Sequence, residues 1–132
     1  MRRQNDLALT RAEEEIMQIL WKIERGFVKD ILDRFSDPKP AYNTVSTIVR
    51  ILETKGFIDH KAYGKTHEYY PLIQKDDYTK AFFGNFLHNH FNNSFRNMVS
   101  FFAKSEEMDV KELEETLKMM QLEVKNQKKK KQ

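Results

Sequence analysis

The stretch Pro40–Gly56, PAYNTVSTIVRILETKG, constrains the fold of this chain more than any other. Proline at its start and glycine at its end bracket a helix of about four turns. At about 100° per residue, Val45, Ile48, Val49 and Leu52 share one apolar stripe, wide enough to seat the helix on a core. Asn43, Ser46, Thr47, Arg50 and Thr54 fall on the opposite side. That outer face is small, hydroxyl-rich and carries a single arginine. A threonine-rich solvated helix has this pattern. So does a helix suited to a DNA major groove, where Arg pairs with guanine, Asn with adenine, and Thr touches the thymine methyl.

The neighbours of this helix supply the context. Upstream, Thr10 and Glu13 match a capping box. It opens a helix to about Ile23, with Ala12, Ile16, Ile19 and Ile23 on one face and Met17 and Trp21 off it. Trp21 calls for a second contact surface, because so large a ring is not left in water. Phe27 reads as a one-residue strand. Val28, Ile31, Leu32 and Phe35 read as a two-turn helix, and Ser36–Pro40 as a turn. Helix, short helix, turn, helix is the order of a helix-turn-helix.

After Gly56 the period changes to that of strands. Phe57–Ala62 and His67–Leu72 flank Tyr63-Gly64-Lys65-Thr66 and read as a hairpin. A hairpin in this place is the wing of a winged helix. Its tip carries His60, Lys61, Lys65 and His67 around Tyr63, and the lysines suit contacts to backbone phosphates.

From about Gln74 the composition turns aromatic. A helix over 75–91 places Tyr78, Phe82 and Phe86 in one row and Phe83, Leu87 and Phe91 in another. Asn92-Asn93 breaks it. A shorter helix opens at Ser94 and carries Phe95, Met98, Val99 and Phe102. Asp109 with Glu112 opens a last helix with Val110, Leu113, Leu117, Met120 and Val124 at a/d spacing. These helices have more apolar face than they can bury alone, which implies a homodimer. Phe82, Phe86, Phe95, Met98, Phe102, Leu113, Leu117 and Met120 are the expected interface.

Net charge is only +3, and Lys128–Lys131 supplies four positive charges, leaving the rest of the chain at −1. Nucleic-acid affinity would therefore need a local basic patch. The chain has no cysteine, which excludes disulfides, thiolate metal sites and a thiol nucleophile. No apolar run approaches a membrane span, and MRRQNDLALT has no apolar signal segment, so a cytoplasmic place is expected. His60, His67, His88 and His90 offer no HExxH, and no Gly-rich phosphate loop or GxSxG is present. No enzyme, metal or cofactor is expected.

LTRAEEEIMQILW, NTVSTIVRILETKGFIDH and the hairpin ending in HEYYPL resemble the penicillinase-repressor family, the BlaI/MecI/CopY type of bacterial transcription repressor. The order of elements matches on through SFRNMVSFFAKSEEMDVKELEETL, so the resemblance covers about Leu9 to Leu122. It implies a homodimer with an N-terminal winged helix and a C-terminal helical dimerisation domain. It implies binding to dyad operators, commonly of TACA/TGTA half-sites. In antibiotic-responsive members a membrane sensor-protease system triggers cleavage in the dimerisation domain. That bond, Asn–Phe in well-known members, maps to Phe101–Phe102. Copper-responsive members carry cysteine pairs that this chain lacks. Thr44 and Thr47 match the family's threonines, and Ser46 stands where several members have a bulkier or basic residue.

The expected architecture is thus mainly α with a small β-hairpin. A winged helix-turn-helix over 1–73 precedes a three-helix dimerisation domain over 74–126 and a disordered basic tail over 127–132. The expected function is that of a dimeric repressor on a palindromic operator in double-stranded DNA, released by proteolysis. Asn43, Thr44, Ser46, Thr47 and Arg50 would face bases, and Tyr42, Lys61 and Lys65 the backbone. The competing readings are a winged helix that docks proteins, and a repressor controlled by a small ligand among Phe82, Phe86, Phe95 and Phe102.

Overall fold

The computed structural model describes residues 8–105 and 107–131, and the opening residues of the first expected domain lie outside them. The elements run α1 (Arg11–Ile23), α2 (Val28–Asp33), α3 (Tyr42–Thr54), β1 (Ile58–Tyr63), β2 (Thr66–Pro71), α4 (Lys75–Phe91), α5 (Phe95–Ala103) and α6 (Val110–Lys130). Contacts divide the chain into two units at Asn85 and Phe86, within α4. The change of composition near Gln74 places the expected division about a dozen residues earlier.

In the first unit, α1 begins with the expected capping box. Thr10 Oγ1 accepts from the Glu13 amide at 3.2 Å, and Glu13 Oε1 accepts from the Thr10 amide at 2.8 Å. Its buried face is not the expected stripe. Glu13, Ile16, Met17 and Leu20 are inside, Ala12 is exposed, and Ile19 and Ile23 are half-buried. The buried set keeps strict i, i+3, i+4, i+7 spacing. A glutamate occupies its first position, and Lys55 makes that burial tolerable by bonding both carboxylate oxygens.

Val45, Val49 and Leu52 seat α3 on α1 and α2, with Ile48 half-buried. Gly56 stops it at φ 84°, a left-handed conformation that costs glycine little. Phe57 then plugs the core with no exposed surface. Its carbonyl accepts from Leu72 at 2.8 Å, so Phe57 and Leu72 close the base of the hairpin without being in its strands. Both strands accordingly extend one residue further toward the tip than expected. Ile58 pairs with Pro71 and Tyr63 with Thr66, leaving Gly64-Lys65 as a two-residue loop with Gly64 at φ 64°.

Gly26, and not Phe27, makes the isolated bridge. It exchanges hydrogen bonds of 2.9 and 2.8 Å with Tyr69, and so adds a short third rung beside β2. Phe27 instead stands at the N-cap of α2, where its amide donates to Asp30 Oδ2. The second contact surface of Trp21 is the start of α4. Trp21 Nε1 donates to the Ile73 carbonyl at 2.8 Å, and its ring lies 5.5 Å from that of Tyr78. Tyr78 also meets Phe57 edge-on and is buried. It therefore belongs to the winged-helix core, and it also begins the expected row, its ring 6.3 Å from that of Phe82.

In the second unit, Asn92 and Asn93 at φ 52° and 65° turn the chain, and Ser94 and Asp109 cap α5 and α6 through their side chains. Phe91 lies 5.7 Å from both Phe86 and Phe101. Yet no described residue of α5 or α6 is buried. The last helix continues through Lys130, where a disordered tail is expected from 127. Gln127 bonds Glu123 one turn back, and Lys128–Lys130 at a helix C-terminus complement the dipole. No described helix is long and apolar enough to cross a membrane.

Candidate nucleic-acid interface

The side of α3 away from the core is open. Asn43, Thr44, Thr47, Arg50 and Thr54 are exposed and Ser46 is half-buried. Thr47 Oγ1 donates to the Asn43 carbonyl at 2.9 Å, and Thr54 Oγ1 to the Arg50 carbonyl at 3.0 Å. These hydroxyl protons are committed to the helix's own backbone. What each threonine offers outward is oxygen lone pairs and a methyl group, which suit a base amino group or a thymine methyl.

The hairpin stands beside this face. Tyr42, Ser46 and Arg50 of α3 share an open cleft of about 800 Å³ with Lys65, Thr66 and His67. Four of the expected contact residues, Tyr42, Ser46, Arg50 and Lys65, are thus brought to one place. Thr44 is not among them and lines a separate hollow of about 330 Å³ with Ala12, Pro38 and Pro40. Asn43 and Thr47 lie between the two by their position on the helix. Lys61 projects elsewhere on the hairpin, its ammonium 5.3 Å over the Tyr63 ring, which itself packs edge-on against Phe27.

The cleft is lined by Lys29, Arg50 and Lys65 and by one carboxylate, Asp30, which accepts from the Phe27 amide. Among the described residues, no carboxylate makes an ion pair with Arg50, Lys61 or Lys65. The first turn of α3 holds no acid and its N-cap, Ala41, makes no side-chain cap, so its first amides are open to an anion. Tyr69 lies in the cleft, buried. Burial, then the nearby Glu53 charge, pushes its hydroxyl above the ordinary range, with Arg50 opposing, so it stays a neutral donor at physiological pH.

Two residues expected at the wing tip meet across the hairpin, and one of them, His67, also lines the cleft. His60 and His67 stack at 3.9 Å with planes 4° apart, and His60 Nδ1 pairs with Glu53 of α3. Asp59 Oδ1 lies 4.0 Å from the same ring nitrogen, and histidine spacing alone misses this group of His60, Glu53 and Asp59 because the other two members are carboxylates. The short link through Gly56 between Glu53 and Asp59-His60 is the sequence signal that could have found it.

Of the expected interface residues, Phe82 (57%), Phe95 (46%), Leu117 (57%) and Met120 (37%) are exposed. Phe86, Met98, Phe102 and Leu113 are half-buried. Phe101 and Phe102 sit inside α5, their rings 5.2 Å apart, with Phe101 61% exposed.

The sequence profile of the penicillinase repressor family matches residues 9–121. The methicillin resistance regulatory protein MecI of Staphylococcus aureus (strain N315) is 29% identical over 108 residues, covering 81% of this chain and 88% of that protein. The penicillinase repressor of Bacillus licheniformis is 27% identical over 119 residues, covering 89% and 92%. Among solved structures, the DNA-binding domain of the repressor BlaI in solution aligns at a TM-score of 0.49 and 24% identity, over 58% of this chain and 93% of that one.

Proposed function

The chain belongs to the penicillinase repressor family, and from that membership we infer that it is a DNA-binding transcriptional repressor and not an enzyme. We propose that α3 reads base edges through Asn43, Thr44, Ser46, Thr47 and Arg50, while Tyr42, Lys61 and Lys65 hold the phosphate backbone. The observation that carries this is the exposed Asn43–Thr47–Arg50 face, free of carboxylate partners, beside a hairpin that brings Lys65 to the same cleft. With so little net charge, affinity comes from that patch and not from the chain as a whole.

A homodimer follows from the apolar surface after α4 begins. Phe82, Phe86, Phe95, Met98, Phe102, Leu113, Leu117 and Met120 would form its interface and dry the faces that one chain leaves open. Two copies about a two-fold axis would read half-sites roughly 34–36 Å apart, one helical turn. Cleavage at or near Phe101–Phe102 would then release the DNA by detaching α6, since a single winged helix makes half the contacts. Its trigger would be a sensor-protease system, and the place of action the bacterial cytoplasm.

A gel shift with a TACA/TGTA dyad against scrambled DNA at moderate salt tests the reading. Selective retardation of the dyad supports it. Equal retardation, or none, favours a winged helix that docks proteins instead.

A further inference from the structure

We propose that Glu53, Asp59 and His60 form a binding site for one divalent first-row transition metal ion of the zinc type. Glu53 stands in the last turn of α3, and Asp59 and His60 are the second and third residues of β1. The turn at Gly56 folds these elements together, so that one ligand atom from each residue lies within 4.8 Å of the other two. Zinc bonds of about 2.1 Å in a tetrahedron set neighbouring ligand atoms about 3.4 Å apart. To reach that spacing, the Glu53 carboxylate has to draw back from His60 Nδ1, which it now pairs with, and Asp59 Oδ1, 4.0 Å from that nitrogen, has to move closer. Among the described residues this is the one group of three or more such side chains.

The chemistry of the cluster fits a dication. Its donors are one imidazole nitrogen and two carboxylates, a set that suits zinc and its borderline neighbours. No lysine or arginine among the described residues makes an ion pair with Glu53 or Asp59. Two carboxylates therefore share one imidazole, and a metal ion bound to the neutral ring would balance both charges.

The imidazole is also held in place. The His60 ring stacks on His67 at 3.9 Å and leans on Tyr69 at 5.7 Å, while the His60 backbone amide orients Asp59 by donating to its Oδ1 at 2.8 Å. Such supports fix a ligand's orientation before the metal arrives. The Glu53 and His60 side chains are 28% and 29% exposed, and Asp59 52%, which leaves room for water to complete the coordination. An ion here would tie the end of α3 to the first strand of the hairpin. The site rests on the winged-helix fold alone, independent of whether that fold reads DNA.

The test uses the untagged full-length chain, titrated with Zn2+ by calorimetry and with Co2+ by visible absorption. One ion per chain is expected, with Co2+ bands appearing at the same stoichiometry. Glu53→Gln, Asp59→Asn and His60→Gln, each shown to be folded by circular dichroism, should each weaken binding by more than about tenfold. A variant carrying both His88→Gln and His90→Gln should bind as the parent does. The proposal is overturned if the parent binds neither ion. It is equally overturned if binding survives in His60→Gln or is lost with His88 and His90.

Discussion

The Lys55 ammonium bonds both carboxylate oxygens of Glu13, at 2.8 and 2.9 Å, and so ties the C-terminal end of α3 to the first turn of α1. Glu13 is 4% exposed and is the buried charge of the winged-helix core. Burial raises its pKa, but the Lys55 hydrogen bonds, the Thr10 amide and the Lys55 charge together hold it below the ordinary 4.5. A carboxylate held low in the fold adds stability that is whole above its unfolded value. That stability is lost as pH falls through the lowered one.

Glu13→Gln should therefore cost about 1–3 kcal/mol at pH 7, the range for a hydrogen-bonded charge. The gap to the parent should shrink in acid, where Glu13 itself is protonated. Urea unfolding at pH 7 and at about pH 3 measures it. An equal gap at both would remove the ion pair as its cause.

Arg50→Ala should cost about 1–3 kcal/mol of operator affinity and relax preference at one position per half-site, if the guanidinium meets a base. Fluorescence anisotropy against single-base operator variants reads both effects. Unchanged preference would assign Arg50 to the phosphates.

Lys65→Ala should weaken all DNA sequences alike and make the salt dependence shallower by about one counterion per half-site. Titrations at several salt concentrations give the slope. A sequence-selective loss would place Lys65 on a base edge.

Leu117→Asp should yield monomers in analytical ultracentrifugation, because an aspartate on the α6 seam leaves a charge unpaired in the interface. Leu117 is 57% exposed in the single chain, so the substitution should leave the winged helix folded. A variant that remains dimeric would move the interface off α6.

Where one periodic pattern maps to one surface, the fold was legible in the residues. The outer and inner faces of α3, the Thr10–Glu13 box and the α6 start at Asp109 are of this kind. Misreadings arise where tertiary partners override the local pattern. Glu13 enters the core only because Lys55, 42 positions away, meets it, and that hid the true face of α1. Tyr78 begins the aromatic row along α4 as expected, but Trp21 and Phe57 also draw it into the winged-helix core, which the row alone does not show. Phe57 reads as strand, yet plugs the core beneath the hairpin. In the candidate interface, α3 and Lys65 were legible, while the pairing of His60 with Glu53 was not, because it joins two elements through a turn.

In the proposed complex the outer face of α3 lies against bases. The chain has no cysteine, so a single introduced thiol can carry a tethered iron–EDTA reagent that cuts nearby DNA. From Thr47→Cys, cleavage should fall inside each half-site of the bound operator, and from Lys22→Cys, on the exposed side of α1, there should be none. Cutting from position 22 with none from position 47 would contradict the account.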